Sequence, residues 1–444
     1  MRVRDNAPAG KAGDRSQTAG DVYMCIDLKS FFASVECVER GLDPMTTRLV
    51  VADEERGRGT ICLAVTPAMK VLGVKNRCRV YEIPQHIDYI KAPPRMQKYI
   101  DYSARIYGLY LDLICADDIH VYSIDEVFIY ASPYMKLYGM SARELAAHLM
   151  KRIRRETGIC ATCGIGTNMY LCKIALDIEA KHALDFIGEL DEERYRRTLW
   201  EHRPLTDFWR VGRGTVERLA RYGIFTMKDI AHADVELLYR VFGIDAELLI
   251  DHAWGRESTR MEDIKGYRTR SRSLSAGQVL MRDYDKREGR VIVSEMTQKL
   301  TLEMMSQSLV CASVGLYVGY ADGTSSSVGR RLARATDSGG ELVGTFLRLY
   351  DGVVSEGAEV RRINITFGDV GADDGVQYSL FDDVESKEQE RRLQMTMIDI
   401  KRRYGLNAIL KGTSFDDAST ARERNMQIGG HKSGTSGKSP DAES

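Results

Sequence analysis

What the chain lacks narrows its class first. No run of about 18 apolar residues occurs, so no membrane-spanning helix is expected. The first twenty residues, MRVRDNAPAGKAGDRSQTAG, are basic in part but have no apolar core, and read as a disordered leader (1–20) rather than a signal peptide. Charge of one sign is absent too: 63 Lys and Arg face 64 Asp and Glu, a formal −1. The protein is therefore not polycationic as a whole, although a local basic stripe can still meet a nucleic acid. Nine cysteines are scattered singly, mostly in apolar stretches, which suits reduced thiols and a cytoplasmic setting. Cys160 and Cys163 form a lone CxxC with no second pair and no HxxxH, so they read as small buried strand residues and not a zinc site.

What is present is a chain of 444 residues, 43% hydrophobic and 29% charged, an ordinary globular balance. Its length implies roughly three domains. From 22 to 185 strand and helix patterns alternate. VYMCI ends at Asp27 and turns into a helix, LVVADE and TICLAVTPA flank a glycine turn, and ARELAAHLMKRIRRET lies between a Ser141 cap and Gly158. This order predicts an α/β layer on a mixed or mostly antiparallel sheet. From 186 to 257 no strands are expected, only short helices and glycine turns. Residues 258–270 are polar and unpatterned and read as a linker. From 271 to 371 the order βαββαβ predicts a separate α+β domain. A polar tail, 372–444, contains one helix at about 384–404.

One stretch breaks its own pattern. VYSIDEVFIY is apolar like an internal strand, yet carries Asp125 and Glu126 side by side. Unpaired buried carboxylates are costly and repel. They can be a capped turn neutralised by basic neighbours, or a hard-cation site at a hairpin bend. A third acid, Asp27, ends another apolar strand, and that tips the balance toward a cation site. Lys173 reads as a helix-surface charge.

IDLKSFFASVE followed by YSIDEVF resembles the Y-family translesion DNA polymerases, the UmuC/DinB-like or ImpB/MucB/SamB proteins, and is closest to the UmuC-like proteins of Gram-positive bacteria. GTICLAVTPAMKVLGVK, TCGIGTNMYLCKIALDIEAKH, RVGRGTVERLARYGI and RSRSLSAGQVL are similar to the family's fingers, palm, thumb and little-finger segments, in order, over residues 22–370. The resemblance implies an α+β multidomain right-hand polymerase: palm and fingers at 22–185, helical thumb at 186–257, little finger at 271–371. It implies a template-dependent, error-prone DNA polymerase that transfers dNMP to a primer 3′-OH with two Mg²⁺ ions held by Asp27, Asp125, Glu126 and the Leu28 carbonyl. Phe31, Phe32, Lys70 and Lys181 would meet the dNTP, with Phe32 under the sugar. Gly212, Gly214, Arg270 and Arg272 would meet primer-template DNA. Pro67 stands where many relatives have a Tyr that grips the triphosphate. Thr167 and Met169 replace lysines common in DinB-like members. In the tail, Gln377, Leu380 and Phe381 of QYSLF resemble the peptide by which bacterial polymerases dock on the sliding clamp; packing against the little finger is the alternative. A monomer is expected. Two rivals remain at this level: a non-catalytic accessory member of the family, disfavoured by the intact acids, and a palm-type nucleotidyl cyclase, disfavoured by the DNA-binding segments.

Overall fold

The computed structural model describes residues 20–268, 272–373 and 384–434. The chain folds as two compact units, one formed by Met1–Ala52, Ile61–Ala92 and Tyr99–Tyr267, the other by Asp53–Thr60, Pro93–Lys98 and Arg268–Ser444. The expected leader, except residue 20, lies outside the described residues.

In the first unit β1 (Tyr23–Leu28) leads into α1 (Phe31–Val38). A small sheet follows, of β2 (Leu49–Val51), β3 (Ala64–Val65) and β4 (Ile90–Ala92), with α2 (Pro67–Val71) started by Pro67, whose missing N–H costs nothing in a first turn. Then come α3 (Met96–Leu111), β5 (Ile119–Val121), β6 (Glu126–Tyr130), α4 (Ser132–Tyr138) and α5 (Ala142–Thr157). Ser141 and Glu144 close a capping box on α5, and Gly158 ends it at φ 72°. α3 buries Tyr99, Ile106 and Tyr110, while Leu109 and Leu113 are only partly covered.

β7 (Ala161–Gly166), α6 (Met169–Ile174), a π-helical stretch (Ala175–Ala180) and β8 (Ile187–Leu190) complete the layer. The main sheet runs β5-β6-β1-β7-β8; all neighbours are antiparallel except β7 and β8. The parallel strand β8 lies where none was expected, because four residues at a sheet edge are too few to show alternation. Alternation along β1 puts Tyr23, Cys25 and Asp27 on one face. α6 covers that face. Its approach is so close that a Cβ on Gly164 would stand 2.0 Å from the Cys172 carbonyl oxygen.

The helices α7 (Glu192–Thr198), α8 (Arg213–Ala220), α9 (Met227–His232), α10 (Val235–Phe242) and α11 (Asp245–Ala253) do not stand apart from this layer. Tyr195, Phe208, Leu219 and Leu249 share one buried cluster with Tyr170, Leu171 and Ile174 of α6. The stretch expected to be a linker contains α12 (Met261–Gly266), and Met261 is buried with Tyr23 and Phe128. Two apolar side chains, Met261 and Ile264, on a six-residue polar helix give too little periodicity to be read from sequence.

The second unit has the expected order: β9 (Leu274–Tyr284), α13 (Lys286–Ser306), β10 (Leu309–Tyr320), β11 (Ser325–Thr336), α14 (Gly339–Val353) and β12 (Val360–Gly368). The sheet is antiparallel, β11-β10-β12-β9. Val314, Leu316, Val318, Ile363, Ile365 and Phe367 join the cores of α13 and α14 on one face. The opposite face carries small and polar residues in register, among them Ser327, Tyr317, Asn364 and Gly277 in one row. α15 (Val384–Tyr404) has the expected bounds and buries none of its residues.

Candidate active site

Three chain segments build the site. β1 and β6 pair so that Asp27 lies opposite Glu126. The β5–β6 hairpin places Asp125 one residue before β6, where its carbonyl accepts the Leu28 N–H at 3.0 Å. Ser123 donates to Asp125 Oδ1 at 2.6 Å and fixes that carboxylate in the turn. The adjacent acids thus occur at a bend, as expected. Burial and the charge of Asp125 push Asp27 up to about 7, with Lys181 pulling the other way.

The acids do not form a closed cage. Among the described residues no group of three His, Cys, Asp or Glu side chains has the spacing to hold a metal ion. Glu126 shows why: its Oε1 accepts from Cys25 Sγ at 3.1 Å and from the Lys173 ammonium at 2.8 Å. Lys173 is therefore no surface charge. It is 7% exposed, and its ammonium also meets Asp177 at 3.0 Å. Burial disfavours that ammonium, but the Asp177 and Glu126 carboxylates outweigh burial, and its pKa is raised. Sequence reading missed this residue because its partner Glu126 is 47 positions away. The one local signal is Asp177, one helical turn on.

A cluster of ammonium groups lies beside the acids. Burial and the charge of Lys70 lower Lys29, and burial lowers Lys70, with Asp27 opposing and Lys181 adding to the depression. The Lys29 ammonium lies 3.8 Å from the Phe186 ring centroid. Lys181 is held by Asp177 at 2.7 Å. Between Lys29 and α1, Ser30 takes φ 50°, and its buried Oγ has no hydrogen-bond partner. Clustered ammonium groups, an orphan hydroxyl and the start of a helix suit an anion with several oxygens.

Phe31 and Phe32 part company. Phe31 is 2% exposed and packs in the core, in keeping with the alternative that this ring is a packing residue. Phe32 is half-buried and stacks on Tyr99, with centroids 4.5 Å apart and planes 15° apart. Tyr99 in turn donates to Glu36 at 2.8 Å, which holds the pair rigid.

Of the expected DNA-contact residues, Gly212 caps α8 and Gly214 lies in its first turn; both are exposed, and a Cβ on either would meet nothing within 4 Å. Neither glycine is demanded by local packing. Arg272 is exposed just before β9. Arg282 on β9 is tied to Glu288, with one contact of 2.9 Å, and lies over Tyr284. Arg270, Gln377, Leu380 and Phe381 lie outside the described residues. The open face of the β9–β12 sheet, with Arg331 and Arg362 exposed on it, was not singled out in the sequence. Its signal is the alternation in β10 and β12, where every second residue is small or polar.

Comparison with known proteins follows the same lines. Residues 26–177 match the impB/mucB/samB family, and 271–380 match the impB/mucB/samB family C-terminal domain. UvrX of Bacillus subtilis (strain 168), named for UV-damage repair, is 32% identical over 95% of this chain and 100% of its own length. A protein named DNA polymerase IV 2 from the same organism is 31% identical over 92% of this chain and 98% of its own. A solved Y-family DNA polymerase chimera superposes with a TM-score of 0.63, over 79% of this chain and 99% of its own, at 20% identity.

Proposed function

The chain belongs to the impB/mucB/samB family of Y-family DNA polymerases, and from that premise we propose how its own residues carry out nucleotidyl transfer. It is a DNA-directed DNA polymerase of the translesion class, acting on DNA and dNTPs with a divalent metal. No helix among the described residues is long and apolar enough to cross a membrane.

The observation that carries the residue-level reading is the pairing of Asp27 with Glu126 beside Asp125, next to the ammonium groups of Lys29, Lys70 and Lys181. The chemistry of the donor set, rather than its spacing in this structure, suits Mg²⁺: the carboxylates are hard oxygen ligands, and a cation relieves the Asp125 repulsion that adds to burial in raising Asp27. Asp27, Asp125 and Glu126, with the Leu28 carbonyl, would hold two such ions. When bound, they lower the pKa of the primer 3′-OH and neutralise the triphosphate and leaving pyrophosphate. Lys70 and Lys181 hold the triphosphate, and the Ser30 hydroxyl and the first N–H groups of α1 cradle it. With Pro67 unable to donate, Lys70 carries more of that grip. Phe32, braced by Tyr99, lies under the sugar and excludes a 2′-OH.

The first unit supplies palm, fingers and thumb, and the β9–β12 unit the little finger. Gly212 and Gly214 admit a DNA phosphate, and the open sheet face follows the backbone without reading sequence. Gln377, Leu380 and Phe381 dock on the sliding clamp. Leu380→Ala with Phe381→Ala should keep unassisted extension and lose clamp stimulation; undiminished stimulation refutes this docking role. The protein works as a cytoplasmic monomer.

The test of the site is primer extension by Asp125→Ala and Glu126→Ala on undamaged and lesion-bearing templates. Both should lose extension while still binding primer-template DNA. Turnover near that of the unaltered chain in both would overturn the assignment.

A further inference from the structure

Burying an ion pair is a poor way to gain stability, since desolvation cancels most of the attraction. What such a pair does supply is direction. Lys173 and Glu126 are both buried, at 7% and 9% exposure, and their contact spans the gap between α6 and β6. The approach that makes it reachable is built into β7, where Gly164 and Gly166 let the α6 backbone lie directly on the strand. Lys173 and Cys25 both take the same oxygen, Oε1, of Glu126. The second oxygen, Oε2, is the one left to offer a cation. On its other side Lys173 meets Asp177 Oδ2 at 3.0 Å, while Asp177 Oδ1 meets the Lys181 ammonium at 2.7 Å.

We propose that Lys173 is a positioning residue that holds Glu126 by one oxygen, and that the ionic chain Glu126–Lys173–Asp177–Lys181 ties the metal-facing carboxylate to the triphosphate-facing lysine. This rests on the polymerase reading above and deepens it. Lys173 has Glu126 and Asp177 as its ion-pair partners. It acts through Glu126, as hydrogen-bond partners of metal ligands do, and removing such partners typically weakens metal affinity or activity by about 10- to 100-fold. Because Asp177 gives one oxygen to each lysine, a change at either end of the chain is felt at the other.

The probe is Mn²⁺, titrated into the full chain without DNA and followed by loss of the free-ion paramagnetic resonance signal. Lys173→Met should shift the binding midpoint weaker by roughly tenfold and lower kcat by a similar factor. The Kd for primer-template DNA should stay within about twofold. Should Lys173→Met fail to fold, Asp177→Asn decides, because the Asp177 side chain is 22% exposed and its loss leaves the Glu126 contact in place. Asp177→Asn should weaken the Mn²⁺ midpoint by a smaller factor, about threefold, and raise KM for dNTP together with it. An Mn²⁺ midpoint within twofold of the unaltered chain for Lys173→Met overturns the proposal. So does an Asp177→Asn variant in which midpoint and KM both stay put. Failure of the unaltered chain to extend a primer with Mn²⁺ would bring down the polymerase reading itself, and this inference with it. Normal extension by the unaltered chain alongside normal Mn²⁺ binding by Lys173→Met defeats only the inference.

Discussion

At the scale of single residues, the stack of Phe32 on Tyr99 makes the proposed sugar gate testable. Phe32→Ala removes the ring and leaves Tyr99 in place, so space opens without unseating α1. The dNTP-to-rNTP efficiency ratio should fall by roughly tenfold or more, the range in which a pocket discriminates by size. An unchanged ratio in single-nucleotide incorporation would make Phe32 a packing residue and put the gate elsewhere. A second residue-scale effect concerns acid. His252, 2% exposed, meets Glu257 at 3.1 Å and stacks on Tyr170. Burial alone would raise the Glu257 carboxyl. The hydrogen bonds of His252 and Thr259 overcome it and bring Glu257 down to about 2. The folded carboxyl releases its proton more readily than the unfolded one. Its stabilisation is therefore complete above the ordinary value of 4.5 and disappears as pH falls toward about 2. Glu257→Gln should remove roughly 2–3 kcal/mol at neutral pH and flatten the loss of stability over that acid window in denaturant titrations.

Among the elements, β7 and α6 decide whether the site assembles. Gly164→Ala would drive a Cβ into the Cys172 carbonyl and the Leu176 N–H, backbone atoms that cannot rotate aside. The cost should be about 3 kcal/mol. Activity should fall further than the folded fraction, because α6 carries Lys173 away from Glu126. Calorimetry paired with primer extension checks this; activity that merely follows the folded fraction would mean that α6 shifts without disturbing the acids. The clustered acids Asp27, Asp125 and Glu126 were legible in sequence because they interrupt apolar strands, and a polar residue in such a place is conspicuous. Lys173 was not, because a lysine on a helix looks solvated until the sheet beneath it is known. Phe31 and Phe32 were told apart by motif position and not by pattern: adjacent helical positions point about 100° apart, but sequence does not say which direction faces the core.

For the molecule as a whole, the βαββαβ unit was legible almost to its boundaries, since long strands and helices repeat their periods many times. The packing of the helices after residue 190 onto α6 was not, because the cluster that joins Tyr170 to Tyr195 and Phe208 is made by residues distant in sequence. The polar face of the β9–β12 sheet has a consequence in solution. Most of what it presents in register, such as Ser327, Asn364, Gly277 and Thr366, is uncharged, and Arg331 and Arg362 are its exposed cations along the paired rows. Each phosphate neutralised by a cation releases counterions and steepens the fall of affinity with salt by about 0.9 log units per log unit. Two arginines give that face a slope of only about −2. Titrating Arg331→Ala with Arg362→Ala against ionic strength should flatten the overall slope by that amount, and a flattening of less than half of it would place the DNA elsewhere. With the DNA-facing role proposed above, so light a grip by charge would let the polymerase leave its template after a short patch and hand the primer end back once the damage is passed.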